Sequence, residues 1–348
     1  MPDPGKRALV VSNWFSVGAD RYAGYTPQLV AKLRERDWSV TTASSQPHRP
    51  ARLADMVCTA WRRRGQYAVA LVDVFSGPAF LWAEATCWVL RRAGKPYVLT
   101  LHGGALPAFA RRWPGRVRRL LGSAAAVTTP SRYLQEQMAA YREGIRLLPN
   151  AIDLSAYPPR PQPAPVRPLL VWLRAFHRIY NPVLAAQVVE RLRGEWPQVR
   201  LTMVGPDKGD GSLGEFQRFV AAHRLAPHVT WAGAVPKAQV TAWLRRGDIF
   251  LNTTSLESFG VSVMEAAAAG LCIVTTDVGE LSYLWRDGDE ALLVPPGDAE
   301  AMAAAVRRLL AEPGLAARLS QNARRKAEGF DWAAVLPQWE ELLWSMAV

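Results

Sequence analysis

The sequence predicts an α/β protein built from two doubly wound parallel-sheet domains. Three observations carry that expectation. Short apolar runs of strand length alternate with helical stretches. Glycine-rich turns follow such runs at TLHGG (residues 100–104) and at GPDKGDG (Gly205 to Gly211), where a parallel sheet binds ligands beyond its strand ends. Finally, PPRPQPAPVRP (Pro158 to Pro168) favours an extended, semi-rigid connector and divides the 348 residues into pieces of ordinary domain size. The expected domains are 1–160 and 161–328, with a last helix over 329–348.

Arg7 to Ser12 is a short buried-strand pattern, followed by a loop with two glycines (Asn13 to Gly24) and a helical stretch, Tyr25 to Arg36. No G-x-G-x-x-G accompanies this opening unit, which argues against a dinucleotide-dependent dehydrogenase. Further strands are expected at Ser39 to Ala43, Ala68 to Val74, Tyr97 to Leu101, Ala125 to Thr129 and Ile145 to Leu148. The second half restarts with Leu169 to Leu173 and continues through Arg200 to Val204 and Val229 to Gly233. Ser131 and Asp298 read as helix N-caps, the latter for Ala299 to Ala311. A last helix carries Trp332, Val335, Leu336, Trp339, Leu342, Leu343 and Met346 at helical spacing, with a kink expected at Pro337.

Tyr67 to Leu90 is the most membrane-like stretch, but Asp73, Gly77, Pro78 and Glu84 make it a strand, a turn and a helix instead. The N-terminus has only a short apolar run, so no signal peptide is expected. Three scattered cysteines (Cys58, Cys87, Cys272) fit a reduced, cytoplasmic protein. Charge is uneven: residues 1–166 hold 23 Lys and Arg against 10 Asp and Glu, while residues 167–348 hold 19 against 20. The first half therefore favours an anionic partner. Phe109 to Leu121, FARRWPGRVRRLL, sets five arginines around Trp113, Val117, Leu120 and Leu121. It reads as a segment that lies on an anionic membrane or grips a charged acceptor, or else as a solvated helix face. No nucleic-acid module accompanies the charge.

The chain is organised around SLESFGVSVMEAAAAG, Ser255 to Gly270. A polar loop precedes a helix expected over Val261 to Ala269, which Gly270 ends. Glu257 and Glu265 flank the helix start, about 12 Å apart if one helical rise spans both. The free N–H groups between them form an anion site. Two acids with an anion cradle between them suit a nucleotide-diphosphate sugar. Read as plain structure, Glu257 is a dipole or capping partner and Glu265 lies on a solvated face. Asp287 and Asp289 form a D-x-D, but Asp-Gly there reads as a turn.

With its flanks, DIFLNTTSLESFGVSVMEAAAAGLCIVTTDVGELSYL resembles the signature of glycosyltransferase family 4, retaining enzymes of the GT-B fold that carry an E-x(7)-E pair. TTPSRYLQEQM and LLPNAIDLSAY resemble the end of that family's first domain. The resemblance implies a metal-independent hexosyl transfer from a nucleotide-diphosphate sugar to a hydroxyl, often on a lipid-linked acceptor. It implies that Glu257 contacts the donor sugar, Glu265 the ribose, and Ser258, Phe259, Gly260 and Val261 the diphosphate. His102, in TLHGG, matches the family's active-site histidine. Arg174 matches one cation of the diphosphate clamp. The expected second cation, a lysine, is missing, and Arg178 or Tyr180 is left to replace it. Gly18, Gly205 and the backbone around Val235 are implied near the donor's diphosphate, nucleotide and base. The last helix is implied to cross back to the first domain. A sugar-nucleotide epimerase, a phosphorylase-like enzyme and a non-catalytic sugar or lipid binder remain rival readings.

Overall fold

A computed structural model describes residues 5–13, 24–158, 160, 165–312 and 314–347 of the chain. Gly18 lies outside the described residues. The chain divides into two compact units, residues 1–151 with 332–348, and 152–331.

In the first unit the order is β1 (Arg7–Val11), α1 (Tyr25–Glu35), β2 (Ser39–Ala43), α2 (Arg49–Arg62), β3 (Val69–Val74), α3 (Pro78–Arg92) and β4 (Tyr97–Leu101). Then come α4 (Leu106–Arg112), α5 (Pro114–Gly122), β5 (Ala126–Thr129), α6 (Arg132–Met138) and β6 (Arg146–Leu147). The six strands pair in parallel in the order β2-β1-β3-β4-β5-β6. β3 to β5 are buried throughout, as unbroken apolar runs must be when helices cover both faces of a parallel sheet. Met56, Phe80, Cys87, Leu106, Val117 and Leu134 place α2 to α6 on one face.

The second unit runs through β7 (Leu169–Leu173), α7 (Pro182–Leu192), β8 (Arg200–Val204), α8 (Ser212–Ala222), β9 (Val229–Trp231), α9 (Val240–Leu244) and β10 (Ile249–Asn252). It continues with α10 (Val261–Ala268), β11 (Cys272–Thr276), α11 (Leu281–Leu284), β12 (Leu292–Val294), α12 (Ala299–Ala311) and α13 (Leu315–Glu328). Its sheet is again six-stranded, β12-β11-β10-β7-β8-β9, with every pair parallel. Leu184, Val188, Phe216, Met302 and Val306 form the core on one face. Val240, Val263, Met264, Leu281 and Ala323 form it on the other.

The last helix, α14 (Trp332–Ala347), belongs to the first unit, where Val335, Trp339 and Leu343 pack with Leu29 and Leu33 of α1. Its Trp332 stacks on Tyr25 at 5.4 Å, and Trp339 Nε1 donates to the Tyr25 hydroxyl at 2.8 Å. It runs as one helix with Pro337 inside it. The break between units falls at Ala151, before the prolines. Ile152 N donates to Phe330 O at 2.8 Å and Leu154 N to Asp331 Oδ2 at 3.1 Å, so this stretch joins the second unit's backbone before the connector begins.

The basic segment Phe109 to Leu121 is not one helix. It breaks at Trp113, and Pro114 starts α5 at the position where a missing N–H costs nothing. Both predicted N-caps are made: Ser131 Oγ accepts from Leu134 N at 3.1 Å and Asp298 Oδ1 from Ala301 N at 2.8 Å. Among the described residues no helix is long and apolar enough to cross a membrane.

Candidate active site

In the second unit the crossovers leave β7 and β10 in opposite directions, toward β8 and toward β11, although the two strands are neighbours. Such a switch point opens a crevice beyond the strand ends. Arg174 follows β7 directly and the loop carrying Glu257 follows β10, so parallel pairing brings residues 83 positions apart into contact. Arg174 Nη2 pairs with Glu257 Oε2, and both side chains are largely buried. A buried pair of this kind needs each partner, because removing one strands the other's charge. The Arg174 guanidinium lies 4.8 Å from the Tyr180 ring centroid, and burial pulls its pKa below the ordinary arginine value.

Gly205 explains why Arg174 can stand there. Its φ is +149°, and a Cβ would lie 1.7 Å from the Arg174 carbonyl oxygen. The glycine, inferred above as a nucleotide neighbour, thus makes room for the Arg174 backbone.

Glu257 and Glu265 are not on one helical axis. The helix begins at Val261, so the rise of 1.5 Å per residue applies only from there onward and the 12 Å estimate does not hold. Glu257 turns back on its own loop, where Oε1 accepts from Ser258 N at 3.0 Å and Phe259 N at 3.3 Å. Those two N–H groups are therefore taken. The Phe259 ring packs edge-on to Phe330 in the core, with 63° between the ring planes, so its side chain is structural. Gly260 sits at φ +91°, where a Cβ would press within 2.8 Å of Leu281. Beyond it, no hydrogen-bond acceptor among the described residues meets the N–H groups of Gly260, Val261 and Ser262. The buried Ser262 Oγ and Arg174 Nε also lack partners. Buried polar atoms left unpaired cost free energy, and here they gather at a helix start that favours an anion.

Glu265 lies one turn into α10 and is 4% exposed. Far from a solvated face, it accepts from the Tyr157 hydroxyl at 3.0 Å and forms an ion pair with Lys237. Sequence reasoning missed Lys237, which arrives from a short 3-10 turn (Lys237–Gln239) after β9. Burial pulls its ammonium down to about 8. Neighbouring Val235 is buried in the core. Arg178, one of the two suggested replacements for the missing lysine, is mostly exposed and binds Glu215 at 3.4 Å.

In the first unit the switch point lies between β1 and β3. Thr26, at the start of α1, donates to Asp73 Oδ2 at 2.7 Å, and Asp73 Oδ1 meets His102 Nε2 at 3.1 Å. Phe75 stacks on the imidazole at 5.1 Å. Asp73 fixes the ring and favours the tautomer whose Nε2 carries hydrogen, leaving Nδ1 as the second polar edge. The sequence did hold a signal for Asp73: it is the single acid in the apolar strand VALVDV.

Asp287 and Asp289 serve their own loop. Asp287 Oδ1 accepts from Leu293 N at 2.9 Å and Asp289 Oδ1 from Asn322 Nδ2 at 2.8 Å. Among the described residues no group of three His, Cys, Asp or Glu is placed to hold a metal.

Comparison with known proteins identifies the family and the fold. The family model "Glycosyl transferases group 1" matches residues 160–326, and "Glycosyltransferase Family 4" matches residues 23–156. A glycogen synthase of Mycobacterium tuberculosis is 30% identical over 195 residues, 55% of this chain and 46% of the relative. A phosphatidyl-myo-inositol mannosyltransferase of Mycolicibacterium smegmatis is 26% identical over 80% of this chain and 71% of the relative. The match thus spans less than half of the first of these relatives. Among solved structures, sucrose-phosphate synthase from Thermosynechococcus elongatus aligns with a TM-score of 0.78 at 21% identity, over 97% of this chain and 98% of that one. Anabaena Alr3699/HepE, solved in complex with UDP-glucose, aligns with a TM-score of 0.77 at 17% identity, over 97% and 99%. The fold is therefore GT-B, with two Rossmann-like domains, and the chain belongs to glycosyltransferase family 4.

Proposed function

We propose that the chain transfers a hexosyl group from a nucleotide-diphosphate sugar to an acceptor hydroxyl, with retention of configuration and without a metal ion. The observation that carries this reading is the pairing at the second sheet's edge. Two acids, Glu257 and Glu265, are each neutralised by a cation on either side of a helix start with unclaimed donors. A donor of this class supplies what each part lacks. Its diphosphate takes the free N–H groups of α10, Ser262 Oγ and the cations of Arg174 and Lys237, while its hydroxyls take the carboxylates. Glu257 then holds the sugar and Glu265 the ribose, as the family resemblance implies. Lys237 fills the place of the missing clamp lysine, and the Tyr180 ring supports the Arg174 guanidinium at 4.8 Å.

Charge gathers on the departing diphosphate as the bond from the anomeric carbon breaks, and fixed donors there lower the barrier without reorganising. The acceptor oxygen attacks from the same face, and its proton passes to the leaving phosphate oxygen. His102, oriented by Asp73, belongs to the sugar or acceptor side. A lipid-linked acceptor at the cytoplasmic membrane face is the acceptor class we favour, in line with the mannosyltransferase relative's name.

Thermal-shift screening with UDP-, GDP-, ADP- and dTDP-sugars tests the donor assignment. A donor at about 100 times its Kd stabilises the folded chain by about 2.7 kcal/mol. Melting unmoved by all four nucleotide classes would sink the reading.

A further inference from the structure

Among the described residues ten large apolar side chains stand exposed, and four of them, Trp61, Leu81, Trp88 and Trp113, belong to one helical layer of the first unit. The helices of that layer adjoin. α2 packs along α3, and Arg116 of α5 grips Glu84 of α3 through two bonds, of 3.0 and 2.5 Å. α3 is apolar on both sides: Phe80, Ala83, Cys87 and Leu90 face the core, while Leu81 and Trp88 are exposed seven residues apart on the outer stripe, with Arg92 next in line. A helix needing only to cover a sheet would carry polar residues there.

The surrounding charge is of one sign. Residues 49–122 hold thirteen Arg and Lys against three Asp and Glu, and one of those acids, Asp73, is spent in the His102 site. Each of the three exposed tryptophans in this layer also carries a guanidinium over its ring: Arg64 on Trp61 at 4.4 Å, Arg92 on Trp88 at 5.1 Å and Arg112 on Trp113 at 5.6 Å. This covering argues against single-stranded nucleic acid, whose bases need bare ring faces to stack on. The shared sign argues against a second copy, whose matching surface would repel it. An anionic bilayer meets both features, because indoles settle at headgroup depth and arginines pair with lipid phosphates.

We propose that the outer surface of α2, α3 and α5 seats the protein on an anionic lipid bilayer, with Trp61, Leu81, Trp88 and Trp113 in the headgroup layer. The sequence pattern had singled out only Phe109 to Leu121, at one margin of this surface; α3 is its centre. The proposal stands apart from the glycosyl-transfer reading and does not require it.

Co-sedimentation of the full chain with phosphatidylcholine vesicles, with and without roughly 30% phosphatidylglycerol at about 0.1 M salt, tests it. Binding is expected only with the anionic lipid. The double variant Leu81→Ala/Trp88→Ala, which leaves the net charge unchanged, should weaken it on the order of tenfold. Arg91→Gln/Arg92→Gln should weaken it too and flatten its salt dependence. An unchanged melting temperature in both variants shows that the fold persists. Absence of vesicle binding overturns the proposal. So does anionic-vesicle binding indifferent to Leu81→Ala/Trp88→Ala, which would mean adsorption by charge alone, and so does loss of the surface to a dimer in solution.

Discussion

The two sheets share six parallel strands and a switch point near the middle, yet they occupy that switch point differently. In the first unit Thr26, Asp73 and His102 close a hydrogen-bonded chain across it. In the second, Arg174 and Glu257 pair across it while Arg174 Nε, Ser262 Oγ and a helix start remain without partners. A satisfied network is already oriented before any ligand arrives, whereas an unsatisfied one gains most of its pairing from the ligand. The second unit should therefore supply donor affinity, and the first should act on turnover. Charge divides the other way, with the basic excess lying on the unit whose switch point is already closed.

The largest effect that could break this comparison is at Glu257. Glu257→Gln keeps the shape but leaves Arg174 buried without its counter-charge, and turnover should fall on the order of 10²–10³-fold. Arg174→Ala should do the same and abolish donor-induced thermal stabilisation. Donor affinity unchanged in both variants, measured by calorimetry, would remove the second unit's assigned role. A comparable loss of turnover is expected for His102→Asn, about 10²-fold, but with donor Kd left within about twofold. Asp73→Asn should reproduce a smaller part of that loss, since it reorients the ring without removing it. If His102→Asn weakened donor binding as strongly as it slowed turnover, the division of labour between the units would fail. Next in size is Glu265→Gln, which removes a charged acceptor from the ribose and should raise donor Kd by about tenfold to a hundredfold.

Much of the scaffold was legible in the sequence because it rests on local pattern. RALVV, YVLTL and LLVWL are apolar runs that only a doubly covered sheet accommodates, and the Ser131 and Asp298 caps depend on residues three positions away. What escaped depends on contacts distant in sequence. Lys237 and Glu265 are 28 positions apart on separate elements, and no spacing rule connects a lysine in a 3-10 turn with an acid inside a helix. The geometry at Glu257 was misjudged although the helix start at Val261 was expected: the helical rise was carried back over loop residues, where Gly260 at φ +91° turns the chain off the helix axis. The division between units falls at Ala151, ahead of the prolines, because Ile152 pairs with Phe330, nearly the whole second unit away in sequence.

The smallest expected effect, and the one that sharpens the comparison most, is a pH dependence at Lys237. Burial lowers its ammonium to about 8 in the donor-free protein. A bound diphosphate beside it favours the charged form and raises that value. Below about 8 the lysine is protonated with or without donor, so affinity is independent of this group. As pH rises through about 8 the free protein loses the proton while the complex keeps it, so binding must take up a proton and affinity falls by at most tenfold per pH unit. Calorimetry at pH 8.5 in buffers of different ionisation enthalpy should register that uptake. Lys237→Met should lower affinity at pH 7 and abolish both the uptake and the alkaline decline. The first unit's hydrogen-bonded chain contains no such buried amine, so an alkaline decline that persisted in Lys237→Met would place the titrating group elsewhere and separate Lys237 from the diphosphate.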